Sequence, residues 1–149
     1  MRIPPATGRI VYKFMRPFLG LFFSGKLRTR ALIIHKSQIL LVRNWKGRQR
    51  WTLPGGGAKN NESSQGAIIR ELKEELGLNV KKTELEFISE VNHVEGSAKY
   101  PVVIYRLKFV KKPTFSMHRP ELIDAEWWQV NDLPVNIDEL TEKTITQQR

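Results

Sequence analysis

The sequence predicts an α/β fold in which helices pack against a mixed β-sheet. Apolar and β-branched stretches of strand length alternate with stretches of helical periodicity along the 149-residue chain. Strands interleaved with two or more helices in this order are typical of an α/β sandwich. A chain of this length forms one domain with its own core. The predicted strands are residues 29–34, 38–43, 51–53, 85–91, 102–110 and 126–130, and the predicted helices lie between Ser63 and Gly77 and at residues 137–147.

Residues 1–28 form an N-terminal segment that differs in composition from the domain expected at residues 29–149. Within it, residues 10–23 read IVYKFMRPFLGLFF and place apolar side chains on one side of a helix, with basic ones mainly on the other. Pro17 interrupts this helix. We expect a basic amphipathic helical segment that either folds onto the domain or lies on an anionic membrane surface. It is too short and too charged to span a bilayer, and basic residues interrupt the apolar run that a signal peptide needs.

The first two predicted strands form a hairpin around Lys36 and Ser37. A basic loop, NWKGRQR, follows at residues 44–50 and leads to a short strand, after which Pro54 and three glycines make a turn. Glycine permits close approach of the backbone to other groups. The turn is therefore expected to present a carbonyl near Gly55 to a ligand.

The helix after this turn carries three carboxylates on one face. Ser63 is a good N-cap and Gly77 a good residue to end a helix. Between them, Glu71, Glu74 and Glu75 stand at i, i+3 and i+4, so their side chains are expected to converge. Like charges this close repel each other unless a cation lies among them. A hard divalent cation that prefers oxygen ligands, Mg²⁺ or Mn²⁺, suits this position.

The same stretch follows a longer pattern, G-x5-E-x7-R-E-U-x-E-E-x-G-U, in which U is aliphatic. The specified places are all filled, by Gly56, Glu62, Arg70, Glu71, Leu72, Glu74, Glu75, Gly77 and Leu78. This is the Nudix box, and the chain resembles the Nudix hydrolases. The resemblance implies an α/β/α sandwich around a mixed sheet. It also implies a metal-dependent hydrolysis in which water attacks phosphorus in a nucleoside diphosphate that is linked to another group.

The carboxylates of Glu71, Glu74 and Glu75 are the expected ligands of Mg²⁺ or Mn²⁺, together with a backbone carbonyl near Gly55. The cations are needed because a diphosphate repels an incoming oxygen nucleophile until its charge is neutralised. Among these residues, Glu74 and Glu75 are also candidates for the general base.

Two further roles are implied by the resemblance. Arg70 is expected to pair with Glu62 and so to hold the loop against the helix. An additional acidic residue that follows the last long strand is expected to act as a metal ligand or as the general base. Glu121 is the candidate by its distance from the next strand, and Glu90 and Glu95 are alternatives.

Residues flanking the expected cleft are candidates for substrate binding. Arg43, Arg48 and Arg50 are placed to bind phosphate oxygens, although ordinary surface charge is the alternative for each. Trp45 is a candidate to stack on a nucleobase. Lys59 lies beside the site and favours a more anionic substrate.

The net charge of +10 is unevenly distributed, because no Asp or Glu precedes Glu62 whereas thirteen Lys or Arg do. This asymmetry indicates an anionic partner, which is a phosphate-bearing small molecule, a nucleic acid or a lipid surface. The alternative function is therefore a catalytically silent protein of the same fold that binds RNA or anionic membrane. The absence of cysteine excludes disulfides and thiolate metal sites. The cytoplasm is the expected location, with peripheral membrane contact as a variant, and the nucleotide derivative stays open because subgroup signatures are absent.

Overall fold

The structure is a computed structural model that describes residues 26–45, 48–118 and 120–149. Within these ranges one sheet contains six strands, β1 (Arg28–His35), β2 (Gln38–Asn44), β3 (Trp51–Thr52), β4 (Glu86–Glu95), β5 (Ala98–Lys108) and β6 (Leu122–Gln129). Two α-helices, α1 (Ser64–Leu76) and α2 (Glu139–Gln147), and a short 3₁₀ helix at Lys82–Glu84 complete the described elements. The predicted N-terminal amphipathic segment lies outside the described residues as far as residue 25.

The sheet is mixed, as predicted. Its strands stand in the order β3, β2, β1, β5 and β4, and β6 also pairs with β2. The pairing of β1 with β5 is parallel, whereas the other pairings are antiparallel. The predicted turn at Lys36 and Ser37 joins β1 to β2, with Lys36 in the left-handed region at φ 53°.

The segment that follows β3 lies between β1 and β2 in space, and it positions the candidate site. The two strands pair only at the two residue pairs next to their turn. β3 pairs with the far end of β2. The residues that follow β3, numbers 54–57 and here called the glycine loop, then lie along the first half of β1. Backbone pairing with β1 therefore fixes the glycine loop at the sheet.

Side chains alternate between two apolar clusters, one on each face of the sheet. The cluster on the α1 face includes Ala31, Ile33, Leu40, Val42, Ile68, Leu72 and Leu76. The cluster on the α2 face includes Leu32, Ile39, Leu41, Trp51, Leu53, Ile104 and Ile145. The sheet is thus covered by a helix on each side, which confirms the expected α/β/α sandwich. No helix in the described ranges is long and apolar enough to cross a bilayer.

Local signals set the ends of α1 where they were predicted. The Oγ of Ser63 accepts a hydrogen bond from the N–H of Gly66 at 3.0 Å. Gly77 adopts a left-handed conformation at φ 66°, and its N–H donates to the carbonyl of Lys73 at 3.0 Å. The predicted sixth strand was too short, because β6 starts at Leu122 instead of residue 126 and pairs along the whole of β2.

Candidate active site

The glycine loop is held against β1 by backbone hydrogen bonds on both sides of Gly55. The N–H of Ala31 donates to the carbonyl of Pro54 at 2.9 Å, and the N–H of Thr29 donates to the carbonyl of Gly56 at 2.8 Å. Gly55 has φ 138°, and a Cβ at this position would lie 2.2 Å from the carbonyl oxygen of Thr29. Only glycine satisfies both the conformation and this close approach.

The loop also lies directly against α1. A Cβ at Gly56 would lie 2.6 Å from the carboxyl carbon of Glu71 and within 2.9 Å of both carboxylate oxygens. Glu71 is 3% exposed. Because Gly56 has no side chain, the carboxylate of Glu71 has room to lie directly beside the loop.

Arg70 connects the loop to the acidic face of α1. Its Nε and Nη2 donate to the two carboxylate oxygens of Glu62 at 2.8 and 2.9 Å, and Nη2 also donates to the carbonyl of Gly57 at 2.9 Å. Its Nη1 donates to Glu71 at 2.7 Å and to Glu74 at 3.2 Å. The hydrogen bonds from Arg70 are the main reason that the pKa of Glu62 is lowered to about 2. The structure thus contains the pair of Arg70 with Glu62 that the resemblance implied.

Glu75 faces the same loop from the next turn of α1. Its Oε2 accepts a hydrogen bond from the N–H of Gly55 at 3.2 Å, and the residue is 5% exposed. Burial raises the pKa of Glu75 to about 7, and the negative charges of Glu71 and Glu121 add to this effect. The guanidinium of Arg30 and the hydrogen bond from Gly55 oppose it. Glu121, the candidate from the loop before β6, is therefore close enough to act electrostatically on Glu75.

The three glutamates of α1 have different hydrogen-bond partners in this structure. In the described part of the chain, no group of three His, Asp or Glu side chains has the arrangement of a metal site. The reason is that Nη1 of Arg70 lies between Glu71 and Glu74, whereas Glu75 turns toward Gly55. The guanidinium of Arg70 thus compensates part of the negative charge of these carboxylates, and it does not bond Glu75.

The donor atoms at the site fit a hard divalent cation. Two buried carboxylates, Glu71 and Glu75, lie at the glycine loop, and Glu121 adds a further carboxylate nearby. The carbonyl of Gly55 is a further oxygen of the loop, and it accepts the bond from Arg30. Mg²⁺ and Mn²⁺ prefer such all-oxygen sites. The absence of a side chain at Gly56 keeps the loop backbone close to Glu71.

The predicted substrate-binding residues are only partly brought together. Arg43 forms an ion pair with Asp124 at 3.3 Å, and its guanidinium carbon lies 5.2 Å from the ring centroid of Trp51. Arg48 is exposed and Arg50 is partly buried in the loop after β2.

The other two candidates lie beside acidic residues of the site. The backbone N–H of Trp45 donates to the carbonyl of Glu121 at 3.0 Å, so Trp45 stands next to the predicted fourth acidic residue. Lys59 is exposed, and its backbone N–H donates to Glu62 at 2.8 Å.

Arg30 is a residue of the site that sequence reasoning missed. Its Nη1 donates to the carbonyl of Gly55 at 2.6 Å. Alternation along β1 places Arg30 on the same face as Arg28 and Leu32, which is the face of α2. The period-two pattern therefore gave no sign of a contact between Arg30 and the glycine loop. Glu95, the alternative acidic candidate, instead accepts a hydrogen bond from Tyr100 at 2.7 Å and lies 3.8 Å from Arg28.

An α/β/α sandwich in which a glycine loop faces a helix rich in carboxylates defines a protein of the Nudix class. The family model of the NUDIX domain matches residues 25–148, and the chain therefore belongs to the NUDIX family. The predicted family and fold are confirmed.

Two curated relatives illustrate the range of similar sequences. An RNA pyrophosphohydrolase of Haemophilus influenzae (strain PittEE) is 40% identical over 70 residues, which are 46% of this chain and 35% of the relative. Diphosphoinositol polyphosphate phosphohydrolase 3-alpha of Mus musculus is 28% identical over 99 residues, which are 65% of this chain and 58% of the relative. The chain thus spans less than two thirds of each of these relatives. Their names agree with the predicted hydrolase class.

Solved structures show the same fold at low sequence identity. A MutT NUDIX hydrolase from Burkholderia pseudomallei superposes with a TM-score of 0.76 and 21% identity, covering 85% of this chain and 99% of that one. The NUDIX domain of Shewanella oneidensis NrtR, crystallised with ADP ribose, has a TM-score of 0.70 and 20% identity over 85% of this chain and 88% of that one.

Proposed function

We propose that this protein hydrolyses a pyrophosphate bond in a nucleoside diphosphate derivative, with Mg²⁺ or Mn²⁺ as cofactor. The observation that carries the proposal is the burial of two carboxylates, Glu71 and Glu75, at one glycine loop. Burying negative charge costs free energy unless a cation compensates it. A divalent cation bound there would also be available to a diphosphate.

Glu71, Glu74, Glu75 and the carbonyl of Gly55 would hold the cation, with Glu121 as a further ligand or as the base. When bound, the cation would neutralise negative charge on the diphosphate and make the attacking water easier to deprotonate. The water oxygen forms a bond to phosphorus, the bond from phosphorus to the bridging oxygen breaks, and the leaving phosphate keeps the electron pair. A carboxylate accepts the proton of the water, and Glu74, Glu75 and Glu121 are the candidates.

Arg70 serves this reaction as a positioning residue. Its hydrogen bonds to Glu62 and Gly57 hold the loop, and its bonds to Glu71 and Glu74 orient two ligands. Displacement of catalytic groups by about 1 Å costs about 100-fold in rate. The guanidinium therefore acts through the carboxylates that it holds.

The substrate class rests on the basic side chains near the site and on the names of relatives. Arg43, Arg48, Arg50 and Lys59 offer positive charge to a phosphate chain, and Trp45 offers an aromatic ring to a nucleobase. The similar sequences include an RNA pyrophosphohydrolase and a diphosphoinositol polyphosphate phosphohydrolase. Both names support a substrate that carries several phosphate groups.

The test is a substrate screen with and without Mg²⁺ or Mn²⁺. It includes nucleoside triphosphates, oxidised nucleotides, nucleotide sugars, dinucleoside polyphosphates and capped or triphosphorylated RNA, and heavy-oxygen water identifies the phosphorus attacked. Glu74→Gln and Glu75→Gln should lose most turnover while their circular dichroism and melting temperature persist. Glu142→Gln, an exposed carboxylate on α2, is the matched control. Normal turnover in both site variants contradicts the proposal, as does inactivity of the wild-type protein across the screen.

We also propose that residues 1–28 bring the domain at residues 29–149 to an anionic surface at the cytoplasmic side of a membrane. The support is the excess of basic over acidic residues in the first part of the sequence. Sedimentation with phosphatidylserine vesicles should be stronger for the full chain than for a variant lacking residues 1–25, which keeps the whole of β1. Equal pelleting of both forms contradicts membrane binding by the N-terminal segment. Tight, salt-sensitive binding of RNA by a protein that hydrolyses no substrate would instead support the alternative function, a catalytically silent binding protein.

A further inference from the structure

Arg30 donates a hydrogen bond to a carbonyl of the glycine loop that does not pair with the backbone of β1. β1 receives the glycine loop through the carbonyls of Pro54 and Gly56, and the carbonyl of Gly55 between them takes no part in this ladder. Nη1 of Arg30 donates to that oxygen at 2.6 Å. The side chain thus reaches the residue whose own N–H donates a hydrogen bond to Glu75.

Arg30 has no carboxylate partner within ion-pair distance among the described residues, in contrast to other arginines of the sheet. Arg28 lies 3.8 Å from Glu95, and Arg43 lies 3.3 Å from Asp124. The hydrogen bond from Arg30 to the carbonyl of Gly55 uses one of the five N–H groups of the guanidinium. The guanidinium therefore has further N–H donors with which to bind an anionic ligand.

The charge of Arg30 acts on the carboxylates of the site. Its guanidinium bonds the carbonyl of Gly55, whose N–H donates to Glu75, so the positive charge lies near that carboxylate. A positive group beside Glu75 and Gly55 lies where the phosphates of a bound diphosphate would approach the candidate cation ligands. The guanidinium geometry matches two oxygens of one phosphate group.

We propose that Arg30 is a substrate-binding residue that contacts the phosphate group next to the scissile bond, beside the carbonyl of Gly55. This inference rests on the proposed function, because it takes the diphosphate as ligand of the same site. Arg30 and the divalent cation both carry positive charge near Gly55 and Glu75. Cation binding therefore disfavours the contact of Arg30 with the carbonyl and leaves the guanidinium to the phosphate.

This role predicts opposite effects of removing Arg30 on two ligands. Arg30→Gln should weaken binding of a phosphate ligand because a charge-assisted contact is lost. The same variant should bind Mn²⁺ as tightly as the wild-type protein or more tightly, because a repelling charge is removed. A purely structural role of Arg30 in holding the loop would weaken both ligands together.

The experiment measures binding without turnover. Calorimetry with α,β-methylene-ADP and with methylenediphosphonate, each in the presence of Mn²⁺, reports the phosphate contact, and electron paramagnetic resonance of Mn²⁺ alone reports the metal site. We expect the dissociation constant of the analogues to rise about 10- to 100-fold in Arg30→Gln and less in Arg30→Lys, which keeps charge but not the fork. Arg106→Gln is the matched control, since Arg106 is a partly buried arginine of β5 that pairs with Glu86.

The results separate this inference from the proposed function. Analogue affinity within twofold of the wild-type value in Arg30→Gln overturns the inference, and so does parallel weakening of Mn²⁺ and analogue. Failure of the wild-type protein to bind either methylene analogue overturns it too. Tight analogue binding through Arg30 in a protein that hydrolyses no substrate contradicts the proposed hydrolysis and leaves the phosphate contact standing.

Discussion

The alpha carbon of Gly56 stands so close to Glu71 that a methyl group there would lie 2.6 Å from the carboxyl carbon. This distance is far below ordinary van der Waals contact, so either the loop or the carboxylate must move when a side chain is added. The glycine that opens the Nudix box therefore has a steric role in this chain, which is to admit the first of the two buried carboxylates to the loop.

Gly56→Ala should reduce metal-dependent turnover by about 10- to 100-fold, because Glu71 is displaced from the loop by a fraction of an ångström or more. The matched control is Gly57→Ala, since an added Cβ at Gly57 meets nothing within 4 Å. Steady-state kinetics and Mn²⁺ binding of the two variants provide the comparison. Equal kinetics in Gly56→Ala and Gly57→Ala would show that the close approach has no consequence.

Arg70→Gln should lower the free energy of unfolding by about 2–4 kcal/mol, because carboxylates near the loop lose their shared cation. The variant removes donors to Glu62, Glu71 and Glu74 at once. Urea unfolding measures the loss, and added Mg²⁺ should restore part of it by taking the place of the guanidinium. Lys73→Gln on the exposed side of the same helix should change stability by less than about 0.5 kcal/mol. A similar loss in both variants would contradict a special role of Arg70.

The pair of Glu62 with Arg70 should make stability sensitive to acid. Because the pKa of Glu62 falls from 4.5 to about 2 in the folded protein, its contribution is fully present above pH 4.5 and is lost as the pH falls toward 2. The stability difference between wild-type protein and Glu62→Gln should therefore be constant from about pH 6 to about pH 5 and shrink below about pH 4.5. Urea unfolding across this range checks the expectation. A difference that widens on acidification has the wrong sign.

Thr141 on α2 supports the segment that leads into the glycine loop. The backbone N–H of Leu53 donates to Oγ1 of Thr141 at 3.0 Å, and Thr141 is 1% exposed. Thr141→Val keeps the shape but leaves the buried N–H without its acceptor, which should cost about 1–3 kcal/mol. Thr141→Ser keeps the hydroxyl and should retain the bond. If thermal unfolding shows the serine variant to be the weaker of the two, the packing of the methyl group matters more than the hydrogen bond.

Features that depend on neighbouring residues could be predicted from the sequence. Ser63 caps α1 through a side-chain bond to Gly66, and Gly77 ends it with a left-handed conformation, so both ends follow from local chemistry. The turn at Lys36 and Ser37 is local in the same way.

Strand lengths were harder to predict because they depend on partners elsewhere in the chain. The predicted strands at residues 85–91 and 102–110 became β4, which continues to Glu95, and β5, which starts at Ala98. The added residues include Asn92 and His93, which pair with β5 through the backbone and carry no apolar signal. Apolar periodicity therefore underestimates strands whose ends are polar.

The candidate site was predictable in its residue types but not in its contacts. The spacing of Glu71, Glu74 and Glu75 indicated the need for a cation, yet it gave no sign that Arg70 meets part of this need. The bond from Arg30 to Gly55 joins residues that approach only because the glycine loop lies along β1. Such a contact has no counterpart in spacing along the chain.

The pairing of β2 with β6 has a consequence for how the protein acquires its structure during synthesis. The two strands are neighbours from Gln38 and Gln129 to Asn44 and Leu122, although most of the described chain separates them in sequence. On the ribosome, β2 must wait for its partner until α1 and β5 have already emerged. Contacts between such distant segments slow folding, because a long loop closes before they form. The edge of β2 that pairs with β6 therefore stays without its partner until residues 122–129 have been made.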